Sequence, residues 1–230
     1  MTDLLQNYLP NVVQLGWSGD AGWGMGIWNT LFMTIIPFII GGTIGLFLGL
    51  MLVLMGPGGV IENKQVSWFL DKVTSIFRAI PFIILIAILA SLTYLLMGTI
   101  LGAKAALVPL TFATFPFFAR QVQVVFSELD KGVIEAAQAS GATFWDIIMV
   151  YLTEGLPDLI RVSTVTLISL VGETAMAGAI GAGGLGNIAI SYGYNRFNND
   201  VTWVATLLIL LLIFLIQFLG DSLTRRVSHK

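Results

Sequence analysis

Long uncharged, apolar stretches alternate with short polar segments along the chain. A helix needs about 20 apolar residues to cross a bilayer core of ~30 Å, because no backbone group that faces lipid can stay unpaired. The pattern therefore predicts an all-α, polytopic membrane protein with one transmembrane domain over residues 1–230. Five transmembrane helices are expected, over about residues 27–55, 76–98, 101–126, 159–181 and 201–220.

The composition agrees with this pattern and excludes several classes of protein. Hydrophobic residues make up 57% of the chain and charged residues 10%, whereas soluble domains carry about 25% charged residues. The chain has no cysteine, and its one histidine, His229, is the penultimate residue. A soluble globule, disulfides, thiol catalysis and clustered histidine or cysteine metal sites are therefore excluded. The net charge is −2 without a basic block, so we expect no nucleic-acid partner.

The positions of lysine and arginine predict the orientation of the five helices. If the C-terminus is cytoplasmic, nine of the 11 Lys and Arg residues lie on the inner side, and only Lys104 and Arg196 lie outside. Inner segments of membrane proteins carry such an excess of positive charge. We therefore expect the N-terminus outside and the C-terminus inside.

The segment 127–158, between the third and fourth predicted helices, has its own local signals. Glu135-Ala136-Ala137 favours a helix, Gly141 ends it, and Thr143 is a suitable N-cap for a second short helix over residues 144–152. One interpretation is a connector that stabilises helix ends. The other is a docking element for a cytoplasmic partner.

The same segment carries an ordered motif: Glu135-Ala136-Ala137, three residues, Gly141, and later Leu156-Pro157. This order resembles the loop by which permeases of ATP-binding-cassette (ABC) importers contact their ATPase. Other stretches are similar to the permeases of methionine importers: 77–83 (FRAIPFI), 108–111 (VPLT), 116–120 (PFFAR), 178–186 (GAIGAGGLG), 191–194 (SYGY) and 217–221 (QFLGD). The resemblance extends from about residue 76 to the C-terminus, whereas residues 1–55 match only in hydropathy.

The resemblance implies a homodimeric permease in a bacterial inner membrane that imports methionine, in the L form, the D form or both. A cytoplasmic ABC ATPase dimer and an extracytoplasmic solute-binding protein would be its partners, and a small amino acid its substrate. ATPase coupling is implied for the residues at the motif positions: Glu135, Ala136, Ala137, Gly141, Leu156 and Pro157.

The chain has no phosphate-binding loop of the ATPase kind. ATP and Mg²⁺ are therefore expected on the partner ATPase, and no cofactor, metal or enzymatic activity is expected on this chain. Two positions depart from the family pattern. Thr153 stands where the family commonly has proline, and Glu173 stands where relatives often have an uncharged residue, frequently tyrosine.

Glu173 is the one charged residue between Val162 and Asn195. A carboxylate at the centre of a membrane helix costs ~2.5–3.5 kcal/mol on insertion scales, so it should face protein or water. At 100° per residue, one helix face carries four side chains: Thr166, Ser169, Glu173 and Met176. This polar face predicts either an interhelical hydrogen-bond cluster or the lining of an aqueous translocation pathway.

Two glycine patterns have alternative interpretations. Gly181, Gly183 and Gly186 match a dinucleotide-binding spacing, but this spacing carries meaning only between a strand and a helix. A flexible outer loop or close packing fits better, and the resemblance implies a re-entrant region near an outer gate. Residues 41, 45 and 49 are glycines on one helix face, which indicates close packing inside the subunit or a dimer seam.

Two functional alternatives stay open. The chain could import another small amino acid or a related solute. A secondary transporter, from a different class, should show internal repeats or charged coupling sites, and the sequence shows no convincing repeat.

Overall fold

The computed structural model describes residues 9–19 and 21–228, and this part of the chain is helical without any strand. His229 lies outside the described residues. The α-helices are, in chain order, α1 (Pro10–Leu15), α2 (Trp23–Leu54), α3 (Lys64–Ala79), α4 (Phe82–Ile88), α5 (Ala90–Met97), α6 (Ala103–Ser127), α7 (Lys131–Ala139), α8 (Phe144–Glu154), α9 (Leu156–Ala177), α10 (Gly184–Asn187) and α11 (Asn199–Val227). Two π-helical turns, Gly178–Ala182 and Ile188–Gly193, flank α10, and a 3-10 turn, Tyr194–Arg196, precedes α11.

Four helices of the described chain are long and apolar enough to cross a membrane. They are α2, α6, α9 together with its π-helical extension, and α11. Each overlaps one predicted span and differs from it by one to seven residues at either end. Four of the five predicted spans are therefore found as long apolar helices, whereas the second, 76–98, is divided among three shorter helices.

The second predicted span is divided because of its proline. α3 ends at Ala79, and Ile80 is extended at φ −79° and ψ 120°. The residue before a proline is sterically pushed out of the helical region, so Pro81 ends one helix and starts the next. A further bend at Leu89, with ψ of 1°, separates α4 from α5. Hydropathy averages over such breaks and does not register them.

The divided helix runs alongside α6 in the opposite direction. Asp71 in the middle of α3 contacts Arg120 in the C-terminal third of α6. Further along, Phe77 packs against Phe112 and Phe115, with ring centroids 6.0 and 5.6 Å away. Residue numbers therefore rise along α3 while they fall along α6, which places the two helices side by side with antiparallel direction.

The glycines of α2 allow its close packing against α6. A Cβ atom on Gly45 would lie 2.7 Å from the Phe115 carbonyl oxygen, and one on Gly49 would lie 2.6 Å from the Ala119 carbonyl oxygen. Only glycine fits such backbone contact. Of the two interpretations of these glycines, packing inside the subunit is confirmed.

Candidate functional site

The motif Glu135-Ala136-Ala137 lies on the short helix α7. Asp130 caps this helix by accepting the Gly132 N–H at 2.8 Å, and buried Ile134 anchors it to the rest of the protein. Glu135 and Ala136 are exposed and Ala137 is half-buried. The motif therefore presents small side chains and one carboxylate on an accessible helix surface.

Gly141 ends α7 as the sequence predicts. Its φ is +83°, in the left-handed region that favours glycine, and no atom lies within 4 Å of a Cβ placed there. The Ala142 N–H donates to the Ala137 carbonyl at 3.1 Å and closes the turn. Glycine is thus favoured at this position because of its backbone conformation, and not because a side chain would lack space.

Thr143 caps the second short helix, α8, which was also predicted. The Thr143 hydroxyl donates to the Asp146 carboxylate at 2.6 Å, and the Thr143 backbone N–H donates to it at 2.8 Å. These hydrogen bonds, the hydroxyl first, hold the pKa of Asp146 below its ordinary value. The capping box fixes the direction in which α8 leaves the turn.

The helix α8 has one buried and one exposed apolar side. Ile147, Ile148 and Tyr151 are buried, and the Tyr151 ring packs edge-on against Phe126 of α6 at 5.6 Å. On the other side, Trp145 and Met149 are 73% and 57% exposed. Because the inner side packs on the helix bundle, the exposed side is held as a rigid apolar surface.

Leu156 and Pro157 begin α9 directly after α8. Pro157 occupies the first turn, where the missing N–H leaves no helical partner unsatisfied, and Leu156 is 40% exposed. Thr153, which stands in place of a family proline, donates its hydroxyl to the Met149 carbonyl at 2.7 Å. The motif residues thus lie on α7, in the turn between α7 and α8, and directly after α8.

The four residues of the predicted polar face differ in their surroundings. Thr166 is buried, and its hydroxyl donates to the Val162 carbonyl of its own helix at 2.7 Å. Ser169 and Glu173 are half-buried, whereas Met176 is 51% exposed. They therefore share a helix face without forming one hydrogen-bond cluster. The Oε2 atom of Glu173 is buried without a hydrogen-bond partner among the described residues.

The glycine-rich segment after α9 is densely packed. Leu185 is fully buried, and its N–H donates to the Thr30 hydroxyl of α2 at 2.9 Å. A Cβ on Gly186 would lie 2.4 Å from the Ala175 Cα atom. Of the two structural alternatives, close packing is confirmed, and no strand precedes these glycines in the described chain.

Two polar contacts between distant segments were missed from the sequence. The Arg120 guanidinium donates to Asp71 at 2.8 Å, to Ser75 at 3.3 Å and to Gln123 at 2.7 Å. At the start of α11, the Asp200 carboxylate accepts two hydrogen bonds of 3.0 Å from Asn11. An arginine within an apolar helix was the available signal for the first contact, but its partner lies 49 residues away.

Comparison with known proteins identifies the family to which this architecture belongs. A family model described as "Binding-protein-dependent transport system inner membrane component" matches residues 41–229. The probable D-methionine transport system permease protein MetI of Pasteurella multocida (strain Pm70) is 44% identical over 208 residues, which are 90% of this chain and 96% of that protein. The methionine import system permease protein MetP of Bacillus subtilis (strain 168) is 48% identical over 181 residues, 78% of this chain and 82% of that protein.

Solved structures of ABC transporters also match this chain. A chain of an inward-facing conformation of the MetNI methionine ABC transporter matches with a TM-score of 0.88 and 43% identity, covering 90% of this chain and 96% of that chain. An amino acid ABC transporter with histidines matches with a TM-score of 0.72 and covers 97% of both chains. At 18% identity, the second match shows a common fold alone.

The fold and these matches define a multi-pass integral membrane permease. The chain belongs to the family of binding-protein-dependent transport system inner membrane components. The predicted resemblance to methionine-importer permeases is confirmed. The relatives are permease proteins, which also confirms that this chain is a transport subunit and not an enzyme.

Proposed function

We propose that this chain is the membrane-spanning subunit of an ATP-driven importer of methionine. The observation that carries the proposal is the match to the MetNI methionine transporter over 90% of the chain, at a TM-score of 0.88. ATP hydrolysis belongs to a separate ABC ATPase dimer, and an extracytoplasmic solute-binding protein delivers the amino acid. Two copies of the chain, related by a twofold axis, form one translocation pathway between them.

The chain crosses the membrane five times, with its N-terminus outside and its C-terminus in the cytoplasm. The second crossing is the divided helix α3–α5, whose antiparallel course along α6 supports this count. Both sides of the Ile80-Pro81 break pack against a helix that is itself long enough to span. The backbone groups freed at the break thus lie beside protein and not only beside lipid, as a broken membrane helix requires.

The segment from α7 to α8 docks on the ATPase. Its apolar outer surface at Trp145 and Met149 and the small side chains of Ala136 and Ala137 allow close approach of a partner. The rigid attachment of α8 to α6 through Tyr151 and Phe126 would carry a displacement of this segment into the helix bundle.

The translocation pathway runs along the incompletely buried side of α9. Ser169, Glu173 and Met176 line it, and Thr166 supports it from the buried side. A half-buried carboxylate in the middle of an apolar helix supports this assignment, because such groups face the protein interior or water and often mark substrate pathways.

The proposal is tested by reconstitution. The chain, its ATPase and its binding protein are placed in vesicles, and uptake of radiolabelled L- and D-methionine is measured. We expect uptake that needs ATP hydrolysis and the binding protein, and none with an ATPase lacking its catalytic glutamate. Uptake driven by an ion gradient without ATP would identify a secondary transporter and contradict the proposal.

A further inference from the structure

One side of α3 is left open by the described residues. At helical spacing it carries five residues, which together are named the α3 outer face: Gln65, Trp68, Phe69, Lys72 and Ile76. All five are exposed, and the three apolar side chains are 59–63% exposed. The other side of the helix carries buried Thr74 and the ion pair with α6. The α3 outer face therefore points away from the helix bundle.

The α3 outer face lies where the chain enters the membrane in the crossing proposed for α3–α5. Residues 79–103 carry no charge, and the second predicted crossing begins at Ile76. Lys72 precedes Ile76 by four residues, which is about 6 Å along the helix. Each headgroup layer of a bilayer is about 5–8 Å thick, because the whole bilayer measures ~40–45 Å and its core ~30 Å. Lys72 is therefore placed at the level of the lipid headgroups.

Lys72 has no acidic partner within the part of the chain that the structure describes. None of the ion pairs found there includes it. The adjacent carboxylate, Asp71, instead accepts a hydrogen bond from Arg120 of α6 at 2.8 Å. Long side chains on a helix point toward its N-terminus, so the Lys72 ammonium extends away from the membrane core. The α3 outer face thus offers a positive charge that an anion at the membrane surface can reach.

The composition of the α3 outer face fits a lipid better than a second helix. Contacts between membrane helices are enriched in small residues, as in the packing of the α2 glycines on α6. The α3 outer face contains no glycine, alanine or serine. It combines two aromatic residues with a lysine, which is typical of the membrane–water interface, where basic side chains attract anionic headgroups.

We propose that the α3 outer face binds an anionic phospholipid of the inner leaflet, with the lipid phosphate on Lys72 and the acyl chains against Phe69 and Ile76. This site goes beyond the proposed transport of methionine, because it depends on the crossing of α3–α5 and not on the solute. A zwitterionic phospholipid fits less well, since the ammonium group of its own headgroup offsets the attraction of the lysine.

The cysteine-free chain permits a direct test. Ile76→Cys is labelled with a bimane fluorophore, and the permease is studied in nanodiscs as a complex with a cysteine-free version of its ATPase. Quenching of the bimane is measured while unlabelled phosphatidylcholine is replaced by 5-doxyl phosphatidylglycerol or by 5-doxyl phosphatidylcholine. We expect the anionic lipid to reach half-quenching at about one fifth of the concentration that the zwitterionic lipid needs, owing to the attraction of one lysine near the surface.

Three variants in the Ile76→Cys protein complete the test. Lys72→Gln should remove the preference for the anionic lipid, and Lys72→Arg should keep it. Lys131→Gln, which removes an exposed charge of α7 on the same assigned side, should leave the preference unchanged.

Equal quenching by the two lipids overturns the lipid site, as does a preference that persists in Lys72→Gln. Quenching by neither lipid also overturns it and indicates that a second copy of the chain or the ATPase covers the α3 outer face. If ATP-driven methionine uptake persists in any of these cases, only the lipid site is wrong and the importer function stands.

Discussion

Threonine hydroxyls inside the helices are satisfied mainly by their own backbone. Thr34, Thr114 and Thr166 each donate to the carbonyl four residues earlier, at 2.7–2.8 Å. A polar residue on a membrane helix therefore does not by itself indicate a pathway, because this local bond removes the cost of burial. Glu173 differs, since a carboxylate has no proton to donate to its own helix when it is charged.

The ion pair between Asp71 and Arg120 should stabilise the packing of α3 on α6. Both side chains are about one-third exposed or less, at 35% and 29%, and their N–O distance is 2.8 Å. We expect Asp71→Asn and Arg120→Gln each to cost about 1–3 kcal/mol, because each leaves a partly buried charge without its partner. The double variant should cost less than the sum of the two, as measured by a double-mutant cycle on thermal unfolding in detergent.

An exposed pair on the same chain provides the control for this prediction. Asp158 and Arg161 are bonded at 2.6 Å, but their side chains are 50% and 63% exposed. Asp158→Asn should therefore change stability by less than about 1 kcal/mol. Strict additivity of the two substitutions at Asp71 and Arg120 would show that the pair contributes nothing to the packing.

Elements that depend on local signals could be predicted from the sequence, whereas contacts between distant residues could not. Gly141 and Thr143 determine the turn between α7 and α8 through their own backbone and capping preferences, so the sequence was sufficient there. The burial of the glycine-rich segment depends on Thr30, 155 residues from Leu185, and no local pattern contains that contact. Pro81 is visible in the sequence, but an average of hydropathy over the span does not detect the break that this proline causes.

The turn at Gly141 should be required for coupling to the ATPase. A β-branched residue there must adopt the left-handed region, at a cost of about 1–2 kcal/mol, so Gly141→Val should displace α8 relative to α7. We expect ATPase stimulation and methionine uptake to fall several-fold while membrane insertion stays normal. Uptake and ATPase rate are measured on the reconstituted complex.

Gly98 offers a matched control for this substitution. Its φ is +71°, and, as at Gly141, a Cβ atom added there would have no other atom within 4 Å. It lies between α5 and α6, on the side that we assign to the exterior. Gly98→Val should therefore impose similar strain and leave the ATPase coupled. Equal losses in the two variants would mean that general strain, and not docking, explains the effect.

Much apolar surface remains exposed in a single subunit. Only 11% of the most hydrophobic window of α11 is buried, whereas 56% of that of α6 is buried. α6 is therefore the central helix of the bundle, and α11 is peripheral and faces lipid or a second subunit. The Asn11 contact with Asp200 fastens the start of this peripheral helix to α1.

The number of crossings decides how this bundle sits in the membrane, and it can be tested with single cysteines in the cysteine-free chain. Ile61 lies before the divided helix α3–α5, Thr99 follows it, and Ser140 lies between α7 and α8. If the divided helix crosses, a membrane-impermeant maleimide should label Thr99→Cys in intact right-side-out vesicles. Ile61→Cys and Ser140→Cys should label only after the vesicles are permeabilised.

If the divided helix does not cross, Ile61→Cys and Thr99→Cys must label from the same side, because no other spanning helix separates them. That result would reduce the number of crossings to four and place the two termini on the same side of the membrane.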